Sequence, residues 1–328
     1  MSERSFTIVG QGLAGTCLAW ELWQREFPFT LIDREEGGSS RVAAGLINPV
    51  TGKNFEPSPQ ITTFLPQAME AYASAEQTLD ATFWHPLPII RFADSEKNWD
   101  KMQAKAELPE VMQWITEGPT PMVGSDWRGR IILHSGGRLD TRNFLDASRE
   151  FFARHDCYKK GEVDFDDAPK HTVWCDGAVG LMTERYGSHR CAKGEILTVQ
   201  ANWPENTIRT GAGGWLIPIG EQRFRVGATY EWDPLDEEPT EEGRQKVKML
   251  ANQLGGPEFE IIDHEAGIRP ILRRSQPLIG PIGNEQWMFN ALGSKGSLYA
   301  PGIAKELAAW LVDGEEAHPH YDIRKFEG

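Results

Sequence analysis

The chain is poor in cysteine and in positive charge. Its 328 residues include four cysteines, and Cys17, Cys157, Cys175 and Cys191 show no C-x-x-C spacing. That pattern gives no zinc cluster and no redox pair, and a disulfide framework is not expected at this size. Cys17 falls within an apolar helical pattern and reads as a small buried residue. The eight histidines make no H-E-x-x-H pattern, so no metal is expected; His318 and His320 read as solvated residues near the C-terminal end. No apolar run reaches the ~18–20 residues of a membrane span. No charged segment followed by an apolar core and cleavage site opens the chain, so a signal peptide is not expected and a cytoplasmic protein is the default. Lys and Arg total 34 against 48 Asp and Glu, a net charge of −14. An acidic surface repels nucleic acid and anionic membrane, so neither is expected as the main partner. The remaining composition, 40% hydrophobic, is that of an ordinary soluble globular protein. The length is large for one core and predicts two lobes.

What is present begins at residue 5. Phe6 to Val9 form a short apolar run with two β-branched residues, and Gly10, Gly12 and Gly15 fit G-x-G-x-x-G. Leu13 to Glu26 have helical composition, Thr30 to Ile32 read as a second strand, and Asp33 stands 18 residues beyond Gly15. This is a dinucleotide-binding βαβ fingerprint. Gly10 permits the tight turn, Gly12 lets backbone approach a pyrophosphate, and Gly15 lets the helix pack on the strand. The first helical turn offers unpaired N–H groups and a positive dipole end to phosphates. An acid at Asp33 accepts hydrogen bonds from a ribose diol. The fingerprint alone does not choose between NAD and FAD.

A long loop follows, from Arg34 to Pro59, dense in small residues around Ser40-Arg41-Val42-Ala43-Ala44-Gly45. Such density suits backbone pressed against a ligand. Helices are predicted over 60–82, 96–107, 141–154, 240–254 and 296–312, the third capped by Asp140 or Thr141. Strands are predicted over 88–92, 130–134, 170–175, 195–200, 223–230, 258–265 and 286–291. Glycine turns accompany the strands near both ends and the middle, whereas bulky strands fill about 190–260. The expected class is α/β, a Rossmann-like nucleotide domain built from three separated segments and interleaved with a β-rich (α+β) substrate lobe. The boundaries drawn are 1–60, 134–190 and 262–328 for the former, 61–133 and 191–261 for the latter.

Several motifs recur in a familiar order: Gly10-Gln11-Gly12-Leu13-Ala14-Gly15 with Asp33, Ser40 through Pro49, Leu139 through Leu145, Val226 through Glu231, Gly267-Ile268-Arg269-Pro270 through Gly280, and Leu292-Gly293-Ser294-Lys295-Gly296-Ser297. In these the chain resembles the D-amino-acid oxidase-like flavoenzymes, which include glycine oxidases, sarcosine oxidases and the FAD domain of MnmC proteins. The resemblance spans almost the whole chain and implies FAD as cofactor. It implies that Leu13, Ala14 and Gly15 meet the pyrophosphate and Asp33 the adenosine ribose. Arg34 and the loop of Ser40, Arg41, Ala43, Ala44 and Gly45 would run along the pyrophosphate and flavin, and a strand around Val163 would touch adenine. Gly293, Ser294, Lys295, Gly296, Ser297 and Leu298 would present N–H groups to the flavin N1/C2=O edge, with Lys295 adding a full positive charge. The sarcosine oxidase cysteine has no counterpart here, which implies non-covalent FAD. Relatives often carry histidine where this chain has Ser294-Lys295.

On the substrate side, the resemblance implies that Arg269 pairs with a substrate carboxylate, a task suited to a guanidinium fork. An ion pair with Glu265 or Glu231 is its structural alternative. Tyr230 is placed on a strand facing the site, as substrate contact or core aromatic. Lys53, Arg273 and Arg274 add positive charge and point to an anionic small-molecule substrate; Trp215 and Tyr299 are further pocket candidates. The implied activity is oxidation of the C–N bond of an amino acid or secondary amine by hydride transfer to flavin. The alternatives are a flavin-dependent hydroxylase, for which Trp174-Cys175-Asp176-Gly177-Ala178 has a faintly matching D-G stretch, and an FAD-binding protein with little turnover.

Overall fold

The computed structural model describes residues 5–272 and 276–326. Arg273 and Arg274 therefore lie outside the described residues. Strand β1 (Phe6–Val9) runs into helix α1 (Leu13–Gln24), which returns to strand β2 (Phe29–Asp33). β1 and β2 pair in parallel, Ile8 opposite Leu31. They sit inside a six-stranded sheet whose order is 158–160, β2, β1, 172–174, 286–290, 278–283. Every pairing in it is parallel except that of 278–283 with 286–290. A doubly wound sheet of this kind leaves its crevice beyond the carboxyl ends of the central strands. Those ends carry Gly10, Asp33 and Asp176.

The second sheet has eight strands, in the order 260–269, 192–200, 223–227, 214–220, 208–211, 89–93, 129–133, 115–121. It is antiparallel apart from the pairing of 208–211 with 89–93. The strands of the six-stranded sheet come from three separated stretches of chain, and those of the eight-stranded sheet lie between them. Strand Glu260–Arg269 crosses position 262 and pairs wholly with the eight-stranded sheet.

Local chemistry explains where the helices start. Asp140 accepts from Asn143 N at 3.3 Å, Ser95 from Asn98 N at 3.3 Å, and Thr240 Oγ1 from Gly243 N at 2.9 Å. Each satisfies an amide that the first turn leaves unpaired. The helices after them span Thr141–Arg154, Glu96–Ala106 and Glu241–Leu254, close to expectation. The expected strand 223–230 ends at Gly227, and Tyr230 lies beyond it. Val163 is in a loop, because its strand stops at Lys160. The chain after the last helix folds back: Tyr321 is buried and Asp322 bridges Ile279, although His318 and His320 stay exposed. Cys17 is buried as expected. Among the described residues, no helix is long and apolar enough to cross a membrane.

Helix α1 packs against the last helix, Gly296–Asp313, and against Thr141–Arg154. Where α1 meets the latter, Trp20 stacks on Phe151 at 5.0 Å and Trp23 meets the same ring edge-on at 5.0 Å. Trp20 Nε1 donates to Ser148 Oγ at 2.9 Å, which removes the cost of burying the indole N–H. Phe152 is fully buried beside them and contacts Phe29 of β2. Phe152→Ala opens a cavity there and is expected to cost about 3–5 kcal/mol of stability; urea unfolding at neutral pH measures it.

Candidate active site

One large cleft, of about 1790 Å³, runs between the two sheets. Its first wall is the β1–α1 turn. Gly10 has φ +103, and an added Cβ would run into the Cys175 backbone, so glycine is required twice over. Gly12, Leu13 and Ala14 face the cleft. No side chain caps α1 at Gly12, and the Leu13 amide donates to Ser40 Oγ at 3.1 Å. A Cβ on Gly12 would stand 3.1 Å from that same oxygen, so the glycine lets the loop after β2 approach the turn closely. Asp33 closes the turn: its carboxylate accepts from Gln11 N and Glu35 N, both at 2.7 Å. Asp33 itself lines the cleft, with acceptor capacity left over. A helix N-terminus beside a held carboxylate suits a pyrophosphate next to a ribose.

The second wall is the loop after β2. Arg34, Ser40, Arg41, Ala43, Ala44 and Gly45 all line it. Arg41 is held by Asp146 at 2.8 Å. Gly45 has φ +70 and leaves no room for a Cβ beside the Leu139 carbonyl.

The third wall is the start of the last helix. Gly293, Ser294, Lys295, Gly296, Ser297 and Leu298 line the cleft, and no side chain caps the helix at Lys295. Lys295 Nζ donates to Thr51 Oγ1 at 3.0 Å and to Ser58 Oγ at 3.1 Å. Among the described residues no carboxylate pairs with it. Burial holds its ammonium below the ordinary lysine value. A positive helix end with an adjacent unpaired cation is a place for developing negative charge.

Arg269 comes from the end of strand Glu260–Arg269. It donates to the Lys193 carbonyl at 3.1 Å and the Thr229 carbonyl at 3.0 Å. Both acceptors are neutral, and burial pushes the guanidinium below its usual value. The expected alternative, a structural ion pair, is not what the fold builds. Glu265 pairs with Arg142 and Arg225, and Glu231 with Lys246. Arg269 is thus an oriented cation at the cleft wall with no carboxylate partner among the described residues.

Three site residues sit elsewhere than expected. Gly15 packs against the Gly10 carbonyl, not on the cleft wall, so its role is helix packing. Tyr230 is half exposed; its ring lies 4.9 Å from the Arg269 guanidinium, outside the cleft lining. Tyr299 is buried and donates to the Pro59 carbonyl at 3.1 Å, behind the wall. Val163, Lys53 and Trp215 do line the cleft.

Sequence reasoning missed two cleft groups. Arg91 stands in the apolar strand Ile89–Ala93, and a charge inside such a run was its one available signal. Asp176 lies beside the Gly10 turn, buried, and accepts from Asn290 Nδ2 at 2.9 Å with Arg185 3.9 Å away. Burial raises its carboxyl from 3.8 to about 6, and Arg185 offsets only part of this. The fold therefore favours the protonated acid. The resulting stability is present below pH 4 and is lost as pH rises through 6, about 3 kcal/mol in all. Asp176→Asn should flatten that fall when urea unfolding of the purified protein is followed from pH 4 to 7.

Comparison with known proteins follows this geometry. A family model described as FAD dependent oxidoreductase matches residues 5–310. A glycine oxidase of Pseudomonas aeruginosa is 24% identical, over 96% of each chain. The MnmC bifunctional protein of Idiomarina loihiensis, for tRNA 5-methylaminomethyl-2-thiouridine biosynthesis, is 22% identical over 99% of this chain, which spans 59% of its length. The solved glycine oxidase of Bacillus cereus superposes with a TM-score of 0.79 at 15% identity, covering 96% of each chain.

Proposed function

The chain belongs to the FAD-dependent oxidoreductase family, and from that premise we propose that it oxidises the C–N bond of an amino acid or secondary amine. The observation that carries this is Arg269: a guanidinium held by two carbonyls at the cleft wall, with no carboxylate of its own among the described residues. Such a group recognises a carboxylate through two parallel hydrogen bonds. The relatives named glycine oxidase support an amino-acid substrate.

The cleft residues fit FAD. Gly10, Gly12, Leu13, Ala14 and Asp33 would hold pyrophosphate and ribose; Arg34 and Ser40 to Gly45 would follow the chain of the cofactor; Gly293 to Leu298 would meet the flavin. Val163 would lie along its adenosine end. Bound there, FAD supplies a two-electron acceptor. Arg269 would fix the substrate carboxylate, so that the amine-bearing carbon is oriented in advance, and Lys53, further along the cleft beside Arg91, would add positive potential for an anionic substrate. Tyr230 packs on Arg269 and limits its swing. Two-electron oxidation of a neutral amine held this way would turn its nitrogen lone pair and the C–H bond into an iminium, which water would hydrolyse to a carbonyl compound and ammonia or a primary amine. Lys295 and the uncapped helix start would stabilise negative charge gained by the acceptor. The division into an FAD-binding domain of 1–60, 134–190 and 262–328 and a substrate domain of 61–133 and 191–261 is part of this reading, with the last boundary moved to the end of strand Glu260–Arg269, as is a soluble, cytoplasmic, non-covalently loaded enzyme.

Anaerobic addition of amino acids and amines to the yellow protein tests the reaction. Bleaching without NAD(P)H is expected; bleaching by NAD(P)H alone would favour a hydroxylase, and none by any amine a protein with little turnover. Arg269→Ala should raise KM for a carboxylate substrate by about 30- to 5000-fold, since losing a buried charged partner costs ~2–5 kcal/mol. An unchanged KM removes Arg269 from that role. Lys295→Met should make the flavin harder to reduce by about 1–3 kcal/mol, the worth of a unit charge at short range in a partly desolvated site. Potentiometric titration reads this, and Lys295→Arg should recover most of the change.

A further inference from the structure

Arg91 is the second guanidinium that the eight-stranded sheet places on the cleft wall, besides that of Arg269, among the described residues, and the function proposed above leaves it without a task. It donates to the Gly52 carbonyl at 3.3 Å, a long hydrogen bond, and no ion pair includes it among the described residues. Burial holds it below the ordinary arginine value, with Asp94 the charge that counters this. That carboxylate accepts from Asn98 and Ser95, on the helix start beside it.

Strand pairing shows where Arg91 stands. Thr210 pairs with Arg91 on one side and with Trp215 on the other. The row continues from Trp215 to Gly227, Ile196 and Glu265. Residues directly opposite one another share a face of the sheet. Arg269, four residues on from Glu265 in an uninterrupted register, shares that face as well. Both arginines therefore look into one cleft. Their strands are the sixth and the first of the sheet, about 24 Å apart at ~4.8 Å per strand along a flat sheet. No short diacid spans that. Trp215, two strand steps or about 10 Å from Arg91, lies between them.

The neighbourhood of Arg91 is also cationic. Lys53, Lys97 and Lys101 line the same end of the cleft, against Asp94 as the acid there. Four cations against one carboxylate is the opposite of the chain's overall balance of −14. An acidic protein that collects positive charge at one end of a cleft draws anions to it.

We infer that the Arg91 end of the cleft binds a second anionic group of the substrate, a carboxylate or a phosphate, many bonds from the amine that is oxidised. The substrate is then an extended amino acid or secondary amine with an anion at its far end. This rests on the carboxylate role of Arg269 proposed above.

The test uses the flavin-loaded protein and reads binding from the perturbed flavin absorbance, without turnover. Octadecanoate and eicosanoate are titrated below their micelle concentration against octadecanedioate and eicosanedioate, whose extended chains match the strand separation, and against an ω-phosphonoalkanoate of matching length. The doubly anionic probes are expected to bind at least about tenfold more tightly than the monocarboxylates, a gain that salt weakens. The stronger of carboxylate and phosphonate identifies the distal group. Arg91→Met should abolish the gain and Arg91→Lys retain most of it; Lys53→Met, on an exposed turn, should reduce it even if Arg91→Met does not fold. Equal affinity for mono- and dianions, or a gain that survives Arg91→Met, overturns the inference while the amine-oxidising reading stands. If no carboxylate of either kind binds, the role of Arg269 falls and this inference falls with it.

Discussion

The contact on which the rest depends is the passage of Gly10 against the Cys175 backbone. At this point β1 ends, α1 begins, and the strand from the middle of the chain, 172–174, lies alongside. A side chain at Gly10 would push these apart, and one at Gly15 would drive α1 off the Gly10 carbonyl. With both absent, the uncapped start of α1 reaches the cleft wall. The third segment, the last helix, then packs on α1 and brings its own uncapped N-terminus to the same cleft. Two positive helix ends thus converge where a dinucleotide with a flavin needs them.

Opposite those helix ends, the eight-stranded sheet supplies side-chain charge. It holds its arginines in different ways. Arg225 is neutralised by Glu265, which also takes Arg142. Arg269 and Arg91 are held by backbone carbonyls, which orient a guanidinium without cancelling its charge. Buried charge without an ion partner is costly, and folds keep it where a ligand completes it. Nearby, the same sheet also ties itself together with full pairs. Lys193 reaches Asp236 at 2.5 Å, and Glu195 accepts from Thr240 N and Oγ1, each at 2.8 Å. These anchor the chain between 228 and 240, from which Glu237 accepts from Gly38 N at 3.0 Å beside the cofactor loop.

Much of the cofactor side was legible because its chemistry is backbone chemistry. Glycines, a helix start and a carboxylate at fixed spacing act locally, so Gly10 to Asp33, Ser40 to Gly45 and Gly293 to Leu298 could be read in order along the chain. The cap at Asp140, one of two candidates with Thr141, and the helix start near 240 were legible for the same reason. The errors came where a residue's setting is decided by distant partners. Val163 and Tyr230 each have strand-like neighbours in sequence, but pairing stops short of both. The carboxylates near Arg269 in sequence are claimed by arginines and a lysine from other elements.

The order of glycines, apolar runs and acids along the chain determined the βαβ unit and a dinucleotide site, since both rest on short-range geometry, and the family resemblance carried by the later motifs narrowed the dinucleotide to FAD. Tertiary structure alone decided which cations remain free. Whether Arg269, Arg91 or Lys295 meets a carboxylate depends on strands and helices up to hundreds of residues away. Charge in a folded protein is a property of the neighbourhood, and only the packed sheets define that neighbourhood.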